Sequence, residues 1–143
     1  MEVHTIRILC VEDNKDSRDV LTRLLIEANA NYVVTAVETA AEALALDSRG
    51  GFDLYILDIW LPGMDGVDMC RRLRERGRTA PIMFFSAMGM QPADREYLLA
   101  AGANAFLIKS VDIDLLIPTV QRLLAESIAP PADGLLNGAP SNL

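Results

Sequence analysis

Glu12, Asp13, Asp58, Ser86 and Lys109 all stand at the ends of short apolar runs. The acids follow Ile6–Val11 and Leu54–Leu57, the serine follows 82–85, and the lysine follows Ala105–Ile108. If those runs are parallel strands of one sheet, every one ends at the same edge, where α/β proteins bind their ligands. Carboxylates gathered there cannot all stay ionised without a counter-charge. A hard divalent cation with oxygen ligands supplies it. Mg²⁺ fits best, because it takes one or two carboxylates, keeps several waters and accepts phosphate oxygens. Lys109 then serves as a point charge for the same anion, and Ser86 as a hydrogen-bond donor to it. This is the equipment for phosphoryl transfer onto a carboxylate, and Asp58, between the acid pair and the Ser/Lys side, is the best-placed nucleophile. Any one Asp after a strand is ordinarily a turn residue or a helix cap. The weight lies in the set, with the acids on one side and the Ser/Lys pair on the other.

The elements that would position these residues repeat along the chain. Apolar runs start at Ile6, Tyr32, Leu54, Ile82 and Ala105, spaced 26, 22, 28 and 23 residues apart. Each is too short and too continuously apolar for an amphipathic helix, and reads as a strand buried on both faces. Between them lie segments of helical period. The first carries Val20, Leu21, Leu24, Leu25 and Ala28 on one face; the second opens on the capping box Thr39-Ala40-Ala41-Glu42 and stops at Gly50-Gly51. Val67, Cys70 and Leu73 mark the third; Leu98 and Ala101, before Gly102, mark the fourth; Leu116, Val120, Leu123 and Leu124 mark the fifth. Strand and helix alternate five times, which predicts an α/β fold with a parallel sheet covered on both faces by helices. Pro118 is too deep in a helix begun at Asp112, so the fifth helix starts late or has a kinked first turn.

Composition bounds the class. The chain has 143 residues, 51% of them hydrophobic, with a formal net charge of −7. That suits one domain, 1–126, followed by a Pro/Gly/Ser/Asn-rich tail or linker over 127–143. Intrinsic disorder, collagen and a disulfide scaffold are excluded. No apolar run approaches the ~18 residues of a membrane span, and the start has no basic region before an apolar core. Cys10 and Cys70, expected to be buried and unreactive, read as reduced thiols of a cytoplasmic protein. The acidic balance argues against direct nucleic-acid binding by this domain. Eleven arginines against two lysines, Lys15 and Lys109, make each lysine worth locating. The five arginines within 71–78 read as a solvated helix face and C-terminus, with a docking patch as the sharper reading. His4 reads as an exposed terminal residue.

The sequence resembles a response-regulator receiver domain of two-component signalling. The matching residues are Ile8-Leu9-Cys10-Val11-Glu12-Asp13-Asn14, then Leu57-Asp58-Ile59-Trp60-Leu61-Pro62-Gly63-Met64-Asp65-Gly66, Phe85-Ser86-Ala87, and Gly102-Ala103-Asn104-Ala105-Phe106-Leu107-Ile108-Lys109. The likeness covers roughly residues 5–126. It implies a CheY-like, flavodoxin-like five-stranded parallel sheet of order 2-1-3-4-5 with five helices. It implies that Asp58 accepts a phosphoryl group from a sensor histidine kinase, a phosphotransfer protein or a small phosphodonor, with the domain catalysing its own phosphorylation and dephosphorylation. Glu12, Asp13, Asp58 and the Trp60 backbone carbonyl would hold Mg²⁺. Ser86, the Ala87 backbone N–H and Lys109 would contact the phosphoryl oxygens. Ser86 and Phe106 would form the switch that alters the surface of the fourth helix, fifth strand and fifth helix. A downstream protein, a fused output domain or a second copy of the chain would read that surface.

The sequence departs from the family pattern at two places. Ser110 follows Lys109 where the family generally has Pro in a cis peptide, so the usual loop geometry is not assumed. Trp60 and Met88 place bulk beside the site, where it would shield the acyl phosphate from water. Other chemistries are weaker. A haloacid-dehalogenase-type phosphatase needs a second Asp two residues after the nucleophile, and Trp60 stands there. The G-x-x-x-x-G-K-[ST] and G-x-G-x-x-G strings are absent. The alternative that survives is a non-phosphorylated pseudo-receiver acting as a protein-binding module.

Overall fold

A computed structural model describes residues 4–87 and 92–128. Strand β1 (Ile6–Val11) leads to α1 (Lys15–Ala28), then β2 (Tyr32–Val37), α2 (Ala40–Asp47), β3 (Leu54–Leu57), α3 (Gly66–Glu75), β4 (Ile82–Ser86), α4 (Pro92–Ala100), β5 (Ala105–Ile108) and α5 (Leu116–Ile128). All strand pairs are parallel and the sheet order is β2-β1-β3-β4-β5, as the resemblance implies.

The period of two along each strand divides the core into two layers. Leu9, Val11, Tyr55, Leu57, Ile82 and Phe84 pack against Ala43 and Leu44 of α2, Val67, Cys70 and Leu73 of α3, and Leu98 of α4. Ile8, Cys10, Leu54, Ile56, Met83 and Phe85 meet Leu21 and Leu25 of α1 and Leu116, Val120, Leu123 and Leu124 of α5. Both faces are covered at the centre of the sheet, which is why β3 and β4 are buried throughout and read as apolar runs, while edge strand β2 is only partly buried. Val20 departs from the helical face expected of it and is 49% exposed, since Leu21 and Leu25 already fill the contact with the sheet.

Three helix starts are set by side-chain caps that satisfy otherwise unpaired N–H groups. Asn14 accepts from the Ser17 N–H at 2.9 Å, Thr39 from Glu42 at 3.1 Å and Asp65 from Asp68 at 2.9 Å. α5 starts late, as Pro118 requires. A 3₁₀ turn over Ile113–Leu115 precedes it, and Pro118 falls in the first helical turn, where no intrahelical N–H bond is lost.

The arginine run is neither a solvated face nor a docking patch throughout. Arg72 is exposed, but Arg74 donates to the carbonyls of Gly102, Arg78 and Ala80 and to Asn104 at 2.7–3.0 Å. Arg76 and Arg78 both close on the fully buried Asp47 carboxylate, at 2.9 and 3.1 Å. Tyr55 donates its hydroxyl to the same carboxylate and accepts from the Phe52 N–H. Those contacts fasten α2 to the end of α3 at the sheet edge opposite the strand C-termini. Burial and the Asp47 partner push the Tyr55 phenol up to about 12.

Candidate functional site

The predicted site residues converge at the C-terminal edge of the sheet. The β1 and β3 ends are neighbours in register, Val11 beside Leu57, and the Asp58 N–H donates to the Val11 carbonyl at 3.0 Å. One carboxylate oxygen each from Glu12, Asp13 and Asp58 lies within 4.8 Å of the others. Glu12 and Asp58 are buried, at 2% and 8% exposure, while Asp13 faces solvent. On the other side, β4 and β5 pair through to their last residues, Ser86 opposite Ile108. Ser86 is therefore the last residue of the strand and not the first after it, one residue beyond the expected end. Its hydroxyl is fully buried and, among the described residues, has no hydrogen-bond partner.

Lys109 reaches across from β5. Its ammonium hydrogen-bonds the Glu12 carboxylate and lies 3.3 Å from Asp58 Oδ2. The described residues contain no cis peptide bond, so the Lys109–Ser110 bond is trans. The loop after Lys109 is held instead by Asp112, which accepts from the Ile108 N–H at 2.8 Å and donates its own N–H back to Ile108 at 2.7 Å. Burial raises the Glu12 carboxyl above its ordinary value. The Lys109 ammonium and the Asn14 N–H oppose that shift, while the charge on Asp58 adds to it.

Trp60 and Ala87 complete the mouth. With Asp58 and Ser86 they line a cleft of about 470 Å³. The Trp60 N–H donates to Asp58 Oδ1 at 3.3 Å, and the Trp60 residue is 59% exposed. Met88 falls outside the described residues. Phe106 is half-buried on β5, beside Phe84, and packs against the α2–α4 layer. Cys10 and Cys70 take no part: both are buried, and burial lifts their thiols, Cys70 to about 11 and Cys10 further.

Three supporting residues escaped sequence reasoning. Arg18 donates to the Glu12 and Asp13 carbonyls at 2.9 and 3.2 Å, fixing the backbone of the acid pair. The Asn14 N–H holds Glu12 Oε2 at 2.9 Å. Gly66 sits so close to the end of β3 that a Cβ there would meet the Asp58 carbonyl oxygen at 2.0 Å. Asn14 carried a signal in its type and place before a helix and Gly66 in its place in the motif after Asp58, while Arg18 carried none.

The arrangement fits the groups the chemistry calls for. Three clustered oxygen donors suit a hard cation, and a buried hydroxyl without a partner suits an anion placed beside it. Comparison with known proteins agrees. The family model of the response regulator receiver domain matches residues 8–121, and the chain belongs to that family. It is 38% identical over 122 residues to the two-component response regulator PhoP of Pseudomonas aeruginosa, covering 85% of this chain and 52% of that one. It is 34% identical over 121 residues to the transcriptional regulatory protein TcrA of Mycobacterium tuberculosis, covering 85% and 47%. The chain thus spans about half the length of these curated relatives. Among solved structures, the response regulator TrrA of Thermotoga maritima in complex with Mg²⁺ and BeF superimposes with a TM-score of 0.74 at 31% identity, covering 83% of this chain and 99% of that one. No described helix is long and apolar enough to cross a membrane.

Proposed function

We propose that this receiver domain is a cytoplasmic phosphoacceptor switch in which Asp58 takes a phosphoryl group from a histidine kinase, a phosphotransfer protein or a small phosphodonor. The observation that carries the reading is the position of Asp58, 8% exposed, between a carboxylate cluster and Lys109 at 3.3 Å, beside the unpartnered Ser86 hydroxyl. Glu12, Asp13, Asp58 and the Trp60 carbonyl are the proposed Mg²⁺ ligands; the ion, when bound, neutralises charge on the transferring phosphoryl oxygens.

The chain's own residues do the rest. An Asp58 carboxylate oxygen attacks phosphorus as the bond to the donor's nitrogen or oxygen breaks, and that electron pair leaves with the donor. Lys109, now paired with Glu12, exchanges that partner for a phosphoryl oxygen. The Ser86 hydroxyl gains the acceptor it lacks, and the Ala87 N–H donates to a second phosphoryl oxygen. Movement of Ser86 toward the phosphoryl group frees space for Phe106 to turn inward. That changes the α4–β5–α5 surface, which a target protein, a fused output domain or a second copy would read. The domain is assigned to residues 1–128, to the end of α5 rather than to the expected 126, and the tail or linker to 129–143.

The test is incubation with Mg²⁺ and acetyl phosphate followed by intact-mass measurement. The expected result is one hydroxylamine-labile phosphoryl adduct, absent in Asp58→Asn and absent after chelation of the metal. Failure of the wild type to form any adduct while still binding Mg²⁺ would leave the pseudo-receiver in its place.

A further inference from the structure

We propose that Asp112 is a positioning residue for Lys109. Its carboxylate turns back onto the end of β5 and fixes the point from which the ammonium reaches Glu12, Asp58 and then the phosphoryl group. The inference rests on Asp58 being the phosphoacceptor, and it adds to that reaction a residue that acts through the lysine.

Strand β5 is an outer strand of the sheet, with β4 on one side only. Successive peptide groups of a strand point to opposite sides, so every second residue of an edge strand offers its N–H and C=O to no neighbouring strand. Lys109 donates its N–H to the Ser86 carbonyl at 2.8 Å, toward β4. Ile108, one residue earlier, therefore faces the open edge. Asp112 takes both of its groups: Oδ2 accepts the Ile108 N–H at 2.8 Å, and the Asp112 N–H donates to the Ile108 carbonyl at 2.7 Å. One residue thus does what a further strand would do, at the last position before the lysine. The peptide that joins Ile108 to Lys109 is gripped at both ends, its carbonyl by Asp112 and its N–H by Ser86.

The ordinary role of an aspartate in front of a helix is to cap it. Asp112 stands at that place, before the 3₁₀ turn Ile113–Leu115, but its side chain makes no capping hydrogen bond. The turn uses only the Asp112 carbonyl, which accepts from the Leu115 N–H at 2.8 Å. The carboxylate is committed to the strand instead. The two residues between Lys109 and Asp112 add little stiffness, since Ser110 has no ring to fix its φ and Val111 is 74% exposed. A lysine carries its charge on a flexible four-carbon stem, so the reach of the ammonium depends on where its backbone is held. Here it has to meet Glu12 and Asp58, which stand at the ends of β1 and β3, and it lies 3.3 Å from Asp58 Oδ2. Freeing Ile108 from Asp112 lets the end of β5 shift while those carboxylates stay in place.

The experiment measures, in the full chain with saturating Mg²⁺, the initial rate of Asp58 phosphorylation by acetyl phosphate, followed by intact mass; calorimetry gives the Mg²⁺ affinity. Asp112→Ala is expected to lower the rate roughly threefold to thirtyfold, within the ~100-fold that an ångström of misplacement can cost. Mg²⁺ is expected to bind no more weakly than to wild type, because its proposed ligands lie on other strands. Asp112→Asn keeps an acceptor oxygen without the charge and is expected to restore most of the rate. In a Lys109→Ala background, Asp112→Ala is expected to change the residual rate by less than about twofold, since the group it acts through is gone. An Asp112→Ala protein as fast as wild type overturns the inference, as does Asp112→Asn as slow as Asp112→Ala. Mg²⁺ binding that weakens in step with the rate, or an equal loss with and without Lys109, overturns it too, by assigning the effect to a general loosening of the site. A wild type that forms no adduct would instead bring down the reading of Asp58 on which the inference stands.

Discussion

Gly66→Ala tests how tightly Asp58, the proposed phosphoacceptor, is held. A Cβ at this position would lie 2.0 Å from the Asp58 carbonyl oxygen, 3.0 Å from its carbonyl carbon and 3.1 Å from Ile59 Cα, all backbone atoms that no rotamer change can clear. Restoring an ordinary contact requires α3 and the Asp58 segment to part by more than about 1 Å. The Gly66 N–H bond to the Ile59 carbonyl, now 2.9 Å, would be stretched past useful length by the same movement. Overpacking of this kind costs roughly 1–3 kcal/mol and the lost hydrogen bond about 1 kcal/mol more, against about 0.5–1 kcal/mol gained because Ala suits a helix better than Gly. The balance is a loss of about 1–3 kcal/mol, or roughly 3–10 °C in Tm. Displacement of Asp58 by an ångström would also slow phosphoryl transfer, by as much as ~100-fold. Gly63→Ala is the control from the same loop: with φ +76° and nothing within 4 Å, it costs only backbone strain of about 1 kcal/mol and leaves Asp58 in place. Urea denaturation and acetyl phosphate labelling of both variants separate the two effects. A Gly66→Ala protein as stable and as reactive as wild type would refute the claim that α3 is packed without slack against the nucleophile's backbone.

Asp47→Ala removes the buried acceptor of Arg76, Arg78 and Tyr55. Because both guanidinium groups are about a third exposed and can rehydrate, the expected loss is about 2–3 kcal/mol rather than the full penalty of a stranded charge, read from a urea midpoint. Tyr55→Phe should alter the alkaline limb of stability. A phenol raised from 10.0 to about 12 in the fold stabilises while protonated, fully below pH 10, and that contribution is lost as pH rises toward 12; the variant should lack this part of the decline. If wild type and Tyr55→Phe lose stability in parallel between pH 10 and 12, the buried phenol is not responsible. Trp60→Asn, alone and with Met88→Ala, should shed the phosphoryl group faster than wild type once the donor is removed, because the indole that lines the cleft no longer restricts water. Equal decay rates would show that the shielding is absent.

What the sequence made legible follows from how each residue is buried. The central strands stand out because both sheet faces are covered there, so apolar residues run without the alternation of a half-exposed strand; β2, at the edge, stands out by its β-branched residues instead. The site stands out because Glu12, Asp58 and Lys109 interrupt those runs at their ends. Even there, Ser86 proved to be inside its strand, since backbone pairing with Ile108 continues one residue past the apolar stretch. Asp47 was illegible. In the chain it is one more acid at the end of a helix, and its arginine partners lie 29 and 31 residues further on, a relation that only the packing of α2 against α3 creates. Val20 misled because helical period alone does not reveal where the sheet surface ends. Gly66 could be recognised as part of a motif, but the need for it lies in a close approach between two backbones that no spacing in the sequence reports.

The imbalance between eleven arginines and two lysines acquires a physical meaning from these contacts. Arg7 donates to the Gly51 carbonyl at 2.8 Å and lies over the Phe52 ring, Arg18 ties the Glu12–Asp13 backbone, Arg74 joins three carbonyls and Asn104, and Arg76 and Arg78 bind Leu44, Asp47 or both. A planar fork with five donors can serve several carbonyls at once, and stays charged even where burial lowers its proton affinity, as it does at Arg74. An ammonium offers no such fixed geometry. Between Glu12 and Asp58 the requirement differs: one cation pairs with two carboxylates and, on the proposed function, later with a phosphoryl oxygen, so a compact charge on a flexible stem is wanted. Lys109 supplies it. Rigid guanidinium ties brace the loops beneath and beside the site, while of the two lysines Lys15 pairs with Asp19 on the surface and Lys109 stands between the site carboxylates.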